Sequence, residues 1–112
     1  MNKFTEISKG VQEAISLKKP IVALESTLIS HGLPYPDNIK VANESIEAIQ
    51  DNGAVAATIG IINGKIKIGL STEEIKILGK NKNIQKVSNH NLSLSIYNKE
   101  NAATTVASSI YI

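Results

Sequence analysis

Glu25 is the ionisable residue best placed to do chemistry. It closes the apolar run Ile21-Val22-Ala23-Leu24 and opens Glu25-Ser26-Thr27, so its carboxyl group falls at the carboxyl end of a strand, where α/β sheets bind ligands. A partly desolvated carboxyl group there suits a general acid or base. The same carboxylate could instead cap a nearby helix or pair with a lysine. His31 stands before Gly32 in a loop stiffened by Pro34 and Pro36, open to a catalytic, a phosphate-contacting or a purely structural role. Lys86 sits between Ile84 and Val87 in a predicted strand and needs either an exposed face or an anionic partner. The stretch Ala103-Thr104-Thr105-Val106-Ala107-Ser108-Ser109 mixes hydroxyls with small residues. A helix starting there would offer backbone N–H groups to a phosphate, and tight small-residue packing would explain the same composition. With two His and no Cys, a Cys-based or His-rich metal site cannot be built. Oxygen ligands could still hold Mg²⁺ or Mn²⁺, but no acidic pair has suggestive spacing.

These residues need elements to hold them. Ser8 to Lys18 reads as a short helix with Ser8 as N-cap and Val11, Ala14 and Ile15 on one face. Ile21–Leu24 reads as a strand buried on both faces. A second helix is predicted from about Asn38 to Asn52, with Gly53 at the left-handed position that ends it. Ala54 to Ile62 is the next strand. Asn63-Gly64 between Ile61-Ile62 and Ile66-Lys67-Ile68 signals a hairpin, because a type I′ turn needs positive φ twice. Lys65 and Lys67 alternate with Ile66 and Ile68, so one face of that second strand meets water. Ser71-Thr72-Glu73-Glu74 matches a capping box and opens a helix ending near Gly79. A strand is expected from Ile84 to Ser88. Leu92, Leu94 and Ile96 alternate like a strand in a short, weakly bounded segment. Thr104 to Ile112 fits a buried helix or a strand, and it reaches the last residue without a cap or polar terminator, which reads as an artificial or truncated boundary.

The bulk numbers narrow the class. A chain of 112 residues allows one small domain, and 42% apolar residues is ordinary for a folded protein. A net charge of +2, with 12 lysines interspersed among 10 acids and 4% aromatic residues, argues against nucleic acid as a partner. The start, Met1 to Glu6, has no apolar h-region, and no apolar run approaches a bilayer span. A soluble cytoplasmic protein with no membrane partner is the expectation.

Val22-Ala23-Leu24-Glu25-Ser26-Thr27-Leu28-Ile29-Ser30-His31-Gly32-Leu33-Pro34-Tyr35-Pro36 resembles the signature of the pseudouridine-5′-phosphate glycosidases, also called the indigoidine-synthesis protein A family. The resemblance continues through Gly53 to Ile59, Gly69 to Ile75, Lys86-Val87-Ser88 and Asn101 to Ser108. It implies reversible cleavage of the C–C glycosidic bond of pseudouridine 5′-phosphate to uracil and ribose 5-phosphate. It also implies a Schiff base between the opened sugar and a nucleophilic lysine, which supplies the electron sink that C–C cleavage needs. Mn²⁺ is implied nearby, and a homo-oligomer, a trimer, as the full-length assembly.

Residue by residue, the resemblance makes Glu25 the proton donor, Lys86 a substrate-binding lysine and Val106 a main-chain substrate contact. The family's nucleophilic lysine and Mn²⁺-ligating aspartate lie further along its sequence, so neither role transfers. Asn89-His90-Asn91-Leu92 departs from a basic stretch followed by Asp-Leu, and Ala102 replaces a family glycine. The expected fold is therefore α/β: residues 1–112 as the N-terminal part of a single three-layer α/β/α domain, with a largely buried sheet and one Asn-Gly hairpin. The chain alone is expected to be inactive. A truncated, non-catalytic remnant or a weak phosphosugar-binding module is the alternative.

Overall fold

The strongest local signal in the chain builds the centre of the sheet. Asn63 and Gly64 have φ angles of 49° and 74°, the left-handed pair that a type I′ turn requires. The turn joins β3 (Val55–Ile62) to β4 (Lys65–Ile68) as an antiparallel hairpin, with Ile62 opposite Lys65. The structure, a computed structural model, describes residues 3–112. From this hairpin the sheet extends in the order β1–β4–β3–β6–β5. Here β1 (Thr5–Ile7) runs parallel to β4, β6 (Ala102–Thr104) antiparallel to β3, and β5 (Gln85–Val87) parallel to β6.

The sixth strand, β2 (Ile21–Leu24), pairs in parallel with the first half of β3, Leu24 facing Thr58. β3 thus has three partners and only two edges, so two of them must share one. β2 and β6 do so, meeting end to end: Gly60 faces Ala103, and the Ser26 N–H donates to the Thr104 carbonyl at 3.0 Å. The carboxyl ends of two strands therefore point at each other.

Helices cover both faces. α2 (Thr27–His31), α3 (Asp37–Asp51) and α4 (Thr72–Lys80) place Ile29, Ile39, Ala42, Ile75 and Leu78 in one cluster with Ile62 and Ala103. α5 (Leu92–Tyr97) places Leu92 in a second cluster with Ile61, Val87 and Ala102. Ile61 and Ile62 are adjacent on one strand and so face opposite ways, which makes this the expected three-layer α/β/α arrangement. Helix ends follow the sequence signals. Ser8 Oγ accepts the Val11 N–H at the start of α1 (Lys9–Ser16). Ser71 and Glu74 close a reciprocal capping box at 2.9 and 3.2 Å. Gly53 takes φ +82° just after α3.

Four expectations are corrected. β2 is not buried on both faces, since Val22 is 40% exposed and Ala23 is exposed too. Ile15 does not share the buried face of Val11 and Ala14 and is largely exposed. Leu92, Leu94 and Ile96 alternate in sequence but form α5; helical spacing puts Leu92 and Ile96 on one side and leaves Leu94 in solvent. Thr104 to Ile112 divides into the end of β6 and α6 (Val106–Tyr111), whose Val106, Ile110 and Tyr111 are exposed rather than buried. β1, α2 and β6 were not foreseen, because three to five residues are too few to show a period.

Charge ties β1 to β4. Glu6 bonds to Lys67 and, at 2.9 Å, to Lys65, and Lys67 also lies 3.5 Å from Glu74 on α4. The hydrogen bonds from Lys67 and then Lys65 hold the Glu6 carboxyl at about 2, below its usual 4.5. A depressed carboxyl stabilises the fold above its unfolded value, and that contribution fades as pH falls from about 4.5 to about 2. Glu6→Gln should therefore flatten this part of the acid-unfolding profile, followed by urea midpoints. Superimposable profiles would show that the triad contributes nothing, the usual outcome for isolated exposed pairs.

Candidate active site

Glu25 leaves the sheet where β2 ends and turns its carboxylate onto the first turn of α2. Oε2 accepts the Thr27 N–H at 3.0 Å and Oε1 the Leu28 N–H at 3.2 Å. The first N–H groups of a helix have no partners within it, and an anion suits that end of the helix dipole. Ser26 occupies the N-cap position but makes no side-chain cap bond, because its hydroxyl is engaged elsewhere. The carboxylate one residue upstream caps instead. Helix capping, one of the readings open in the sequence, is thus how Glu25 is held, and the side chain is half-buried. Glu25→Ala should cost about 1 kcal/mol through loss of this cap, read as a lowered urea midpoint. An unchanged midpoint would show that α2 holds without it.

Beneath Glu25 lies a buried hydroxyl network that joins the strand ends. Ser26 Oγ accepts the Thr104 N–H at 2.8 Å and lies 3.3 Å from Thr104 Oγ1. The Thr104 hydroxyl donates to the Ile59 carbonyl at 2.8 Å and lies 2.9 Å from Ser109 Oγ. The Thr27 hydroxyl donates to the Thr104 carbonyl at 2.9 Å, and that of Ser108 to the Val87 carbonyl at 2.8 Å. Four strands and the starts of α2 and α6 are tied at one point. Ser26, Thr104 and Ser108 are fully buried, and each hydroxyl finds a partner, as burial demands. Sequence reading named the hydroxyl-rich stretch but did not assign Ser26 and Thr104 to each other; 78 positions separate them, and no local pattern couples residues so far apart.

Val106 opens α6, where its N–H has no acceptor within the helix. It shares with Glu25 a cleft of about 290 Å³ lined by Ala23, Leu24, Glu25, Val106, Ser109 and Ile110. Thr105 caps the helix through its Oγ1 to the Ser108 N–H at 3.2 Å. With six residues, α6 has fewer than two turns, so its dipole alone makes no phosphate site. A smaller hollow of about 90 Å³ lies on the other side of Glu25, bounded by Leu28, Ile29, Ala42, Ser45 and Thr58. A hollow of about 340 Å³ around Asn81, Lys82, Asn83 and Asn101 opens near the amino-terminal ends of β5 and β6, away from Glu25.

The structure brings Glu25 and Val106 together and leaves Lys86 outside their cleft. Lys86 is exposed on β5, opposite Ala103 on β6. The Thr105 N–H donates to the carbonyl of the next β5 residue, Val87, at 3.0 Å, which fixes β5 against the start of α6. The two departures from the family pattern are accommodated. Asn91 Oδ1 accepts the Ser88 N–H at 2.8 Å and its amide donates to the Lys86 carbonyl at 3.2 Å, closing the turn after β5. Ala102 is a fully buried strand residue outside the positive-φ region, so no glycine is needed there. His31 is exposed, with Nδ1 2.6 Å from Ser30 Oγ. It lines a separate hollow with Lys80 and Lys82 and does not reach the Glu25 cleft.

The fold and the cleft define an α/β domain of the kind that binds ligands at its strand ends. The chain belongs to the indigoidine synthase A like protein family, whose pattern matches residues 10–112. It is 49% identical over 110 residues to a pseudouridine-5′-phosphate glycosidase of Caldanaerobacter subterraneus and 52% identical over 110 residues to one of Glaesserella parasuis. Each match covers 98% of this chain and 36% of the relative, so the chain spans about a third of the length of these relatives. Among solved structures it is similar to prealnumycin C-glycosynthase AlnA in complex with ribulose 5-phosphate, with a TM-score of 0.86 and 32% identity over 99% of this chain and 35% of that one. It is also similar to an indigoidine synthase A-like protein of Thermotoga maritima, with a TM-score of 0.78 and 33% identity over 96% and 34% of the two chains. No helix of the described residues is long and apolar enough to cross a membrane.

Proposed function

We propose that this chain supplies the proton-donor part of a pseudouridine-5′-phosphate glycosidase site. The observation that carries the reading is the shared cleft of Glu25 and Val106, two positions to which the family resemblance gives an acid and a main-chain substrate contact. When the C–C bond breaks, the departing uracil carbon must gain a proton where the sugar was attached. Among the described residues Glu25 is the one ionisable side chain that lines the cleft, and it delivers that proton as general acid. Its anchorage to the α2 N–H groups fixes the direction from which the proton arrives. The Val106 N–H, free of the helix ladder, binds a substrate oxygen; the family resemblance makes Lys86 a further substrate contact, although it stands exposed on β5 outside the cleft. Relatives named as glycosidases of this nucleotide and a solved relative bound to ribulose 5-phosphate support a phosphosugar as the substrate class.

The remainder of the reaction belongs to residues beyond these. Among the described residues no three or more His, Cys, Asp or Glu come together to hold a metal ion; the family resemblance puts the Mn²⁺-ligating aspartate in the longer part of the family fold. The nucleophilic lysine likewise comes from the longer part of the family fold. The complete enzyme would work in the cytoplasm as a homotrimer. A transition state needs all its groups positioned at once, so the 112-residue chain alone should release no uracil. The test is a chimaera in which this chain replaces the matching third of the Caldanaerobacter relative. Uracil release from pseudouridine 5′-phosphate is expected; a folded chimaera that binds the substrate and releases none would contradict the reading.

A further inference from the structure

The hydroxyl network beneath Glu25 leaves only one arrangement of its protons. A hydroxyl has one proton to donate and two lone pairs with which to accept. The Ile59 carbonyl can only accept, so its 2.8 Å bond takes the single proton of Thr104 Oγ1. Thr104 Oγ1 is then an acceptor towards both of its other neighbours, Ser26 Oγ at 3.3 Å and Ser109 Oγ at 2.9 Å. Ser26 and Ser109 must each turn their own proton towards it. Thr104 is fully buried, so no solvent competes for these bonds.

Among the described residues Ser109 is the one member of this network that also lines the cleft beside Glu25, and it is half-buried. Its proton is engaged inward with Thr104, which leaves only lone pairs for the cleft. Glu25 is the other polar side chain of that wall, and none of the described lysines lines it. A phosphate ester brings acceptor oxygens and negative charge. Here it would meet an acceptor and a carboxyl group with no cation to offset them. A neutral hydroxyl or N–H group, in contrast, finds its complement at Ser109.

We infer that Ser109 is a specificity-determining residue: it accepts a hydrogen bond from a neutral donor of the substrate, a sugar hydroxyl or a uracil N–H, and keeps the phosphate out of the Glu25 cleft. Thr104 is its positioning residue, because the bond between them sets which way the Ser109 proton points. The inference rests on the proposed reading of this cleft as a substrate site.

The test is equilibrium binding to the Caldanaerobacter chimaera in its parent, Ser109→Ala and Ser109→Thr forms. Ribose 5-phosphate supplies sugar hydroxyls and uracil supplies N–H groups. Methyl phosphate at about pH 8, well above the second phosphate pKa of about 6, is a dianion with no proton to donate. Ser109→Ala should weaken ribose 5-phosphate or uracil by roughly three- to tenfold, the worth of one neutral hydrogen bond, and the ligand that responds identifies the donor. Methyl phosphate should bind all three proteins alike, and Ser109→Thr, which keeps the hydroxyl, should restore the parent affinity. Unchanged affinities in Ser109→Ala, an equal loss for methyl phosphate, or no recovery in Ser109→Thr would each overturn the inference. Uracil release is followed separately. Binding that depends on Ser109 without any release supports the inference and counts against the reaction. Release with binding indifferent to Ser109→Ala leaves the reaction standing and removes the role of Ser109. A chimaera that binds neither ribose 5-phosphate nor uracil overturns both.

Discussion

Thr104→Val should destabilise the fold by about 2–3 kcal/mol, the largest loss expected from removing a single oxygen atom. Valine has nearly the shape of threonine, so packing is kept and only the hydroxyl is lost. That hydroxyl donates to the Ile59 carbonyl and lies within hydrogen-bond distance of Ser26 and Ser109 in a fully buried setting. Its removal leaves buried partners without their bonds, and the desolvation of each then goes uncompensated. Against a total stability on the order of 5–15 kcal/mol, this is a substantial fraction. Ser26→Ala should cost a similar amount, because it strands the Thr104 N–H. The double variant should cost less than the sum of the two, since both act on one network. Urea unfolding of the four proteins measures this. Strict additivity, or a Thr104→Val midpoint equal to the parent's, would show that the strand ends are held by packing alone.

The network also shows where sequence reading reached and where it stopped. Elements with their own local chemistry were legible: the Asn63-Gly64 turn, the Ser71–Glu74 capping box, the Ser8 cap and the glycine after α3 each depend on neighbours within about four positions. What could not be read were arrangements made by contacts distant in sequence. β6 has three residues and exists because Gly60 and Ala103 pair. The alternation of Leu92, Leu94 and Ile96 fits a strand until Leu92 finds Ile61, Val87 and Ala102 to pack on, which selects the helix. β2 carried the pattern of an enclosed strand, and the structure covers it on one side only. At the site, Glu25 was legible as a carboxylate at a strand end, with capping and acid catalysis both open. The structure establishes the cap, and it places Glu25 in the wall of the cleft shared with Val106. For Lys86 the sequence left an exposed face and an anionic partner both open; its exposure, and its separation from the Glu25 cleft, depend on which strand lies next to which, and no local pattern reports that.

The second large effect concerns chemistry rather than stability. In the chimaera with the Caldanaerobacter relative, Glu25→Gln should lower kcat by roughly 10²–10⁴-fold, the range spanned by loss of a positioned general acid. Glutamine keeps an acceptor oxygen for the first N–H groups of α2, so the cap persists in part and the unfolding midpoint should move little. It cannot donate a carboxylic acid proton. An effect confined to kcat separates a missing acid from a misplaced helix, because a displaced α2 would raise KM and lower stability together. The decisive measurement is uracil release from pseudouridine 5′-phosphate by parent and Glu25→Gln chimaeras under identical conditions, with unfolding midpoints determined alongside. A loss of at least a hundredfold at unchanged stability is the expected result. Equal rates in the two proteins would contradict the assignment of Glu25 as the proton donor.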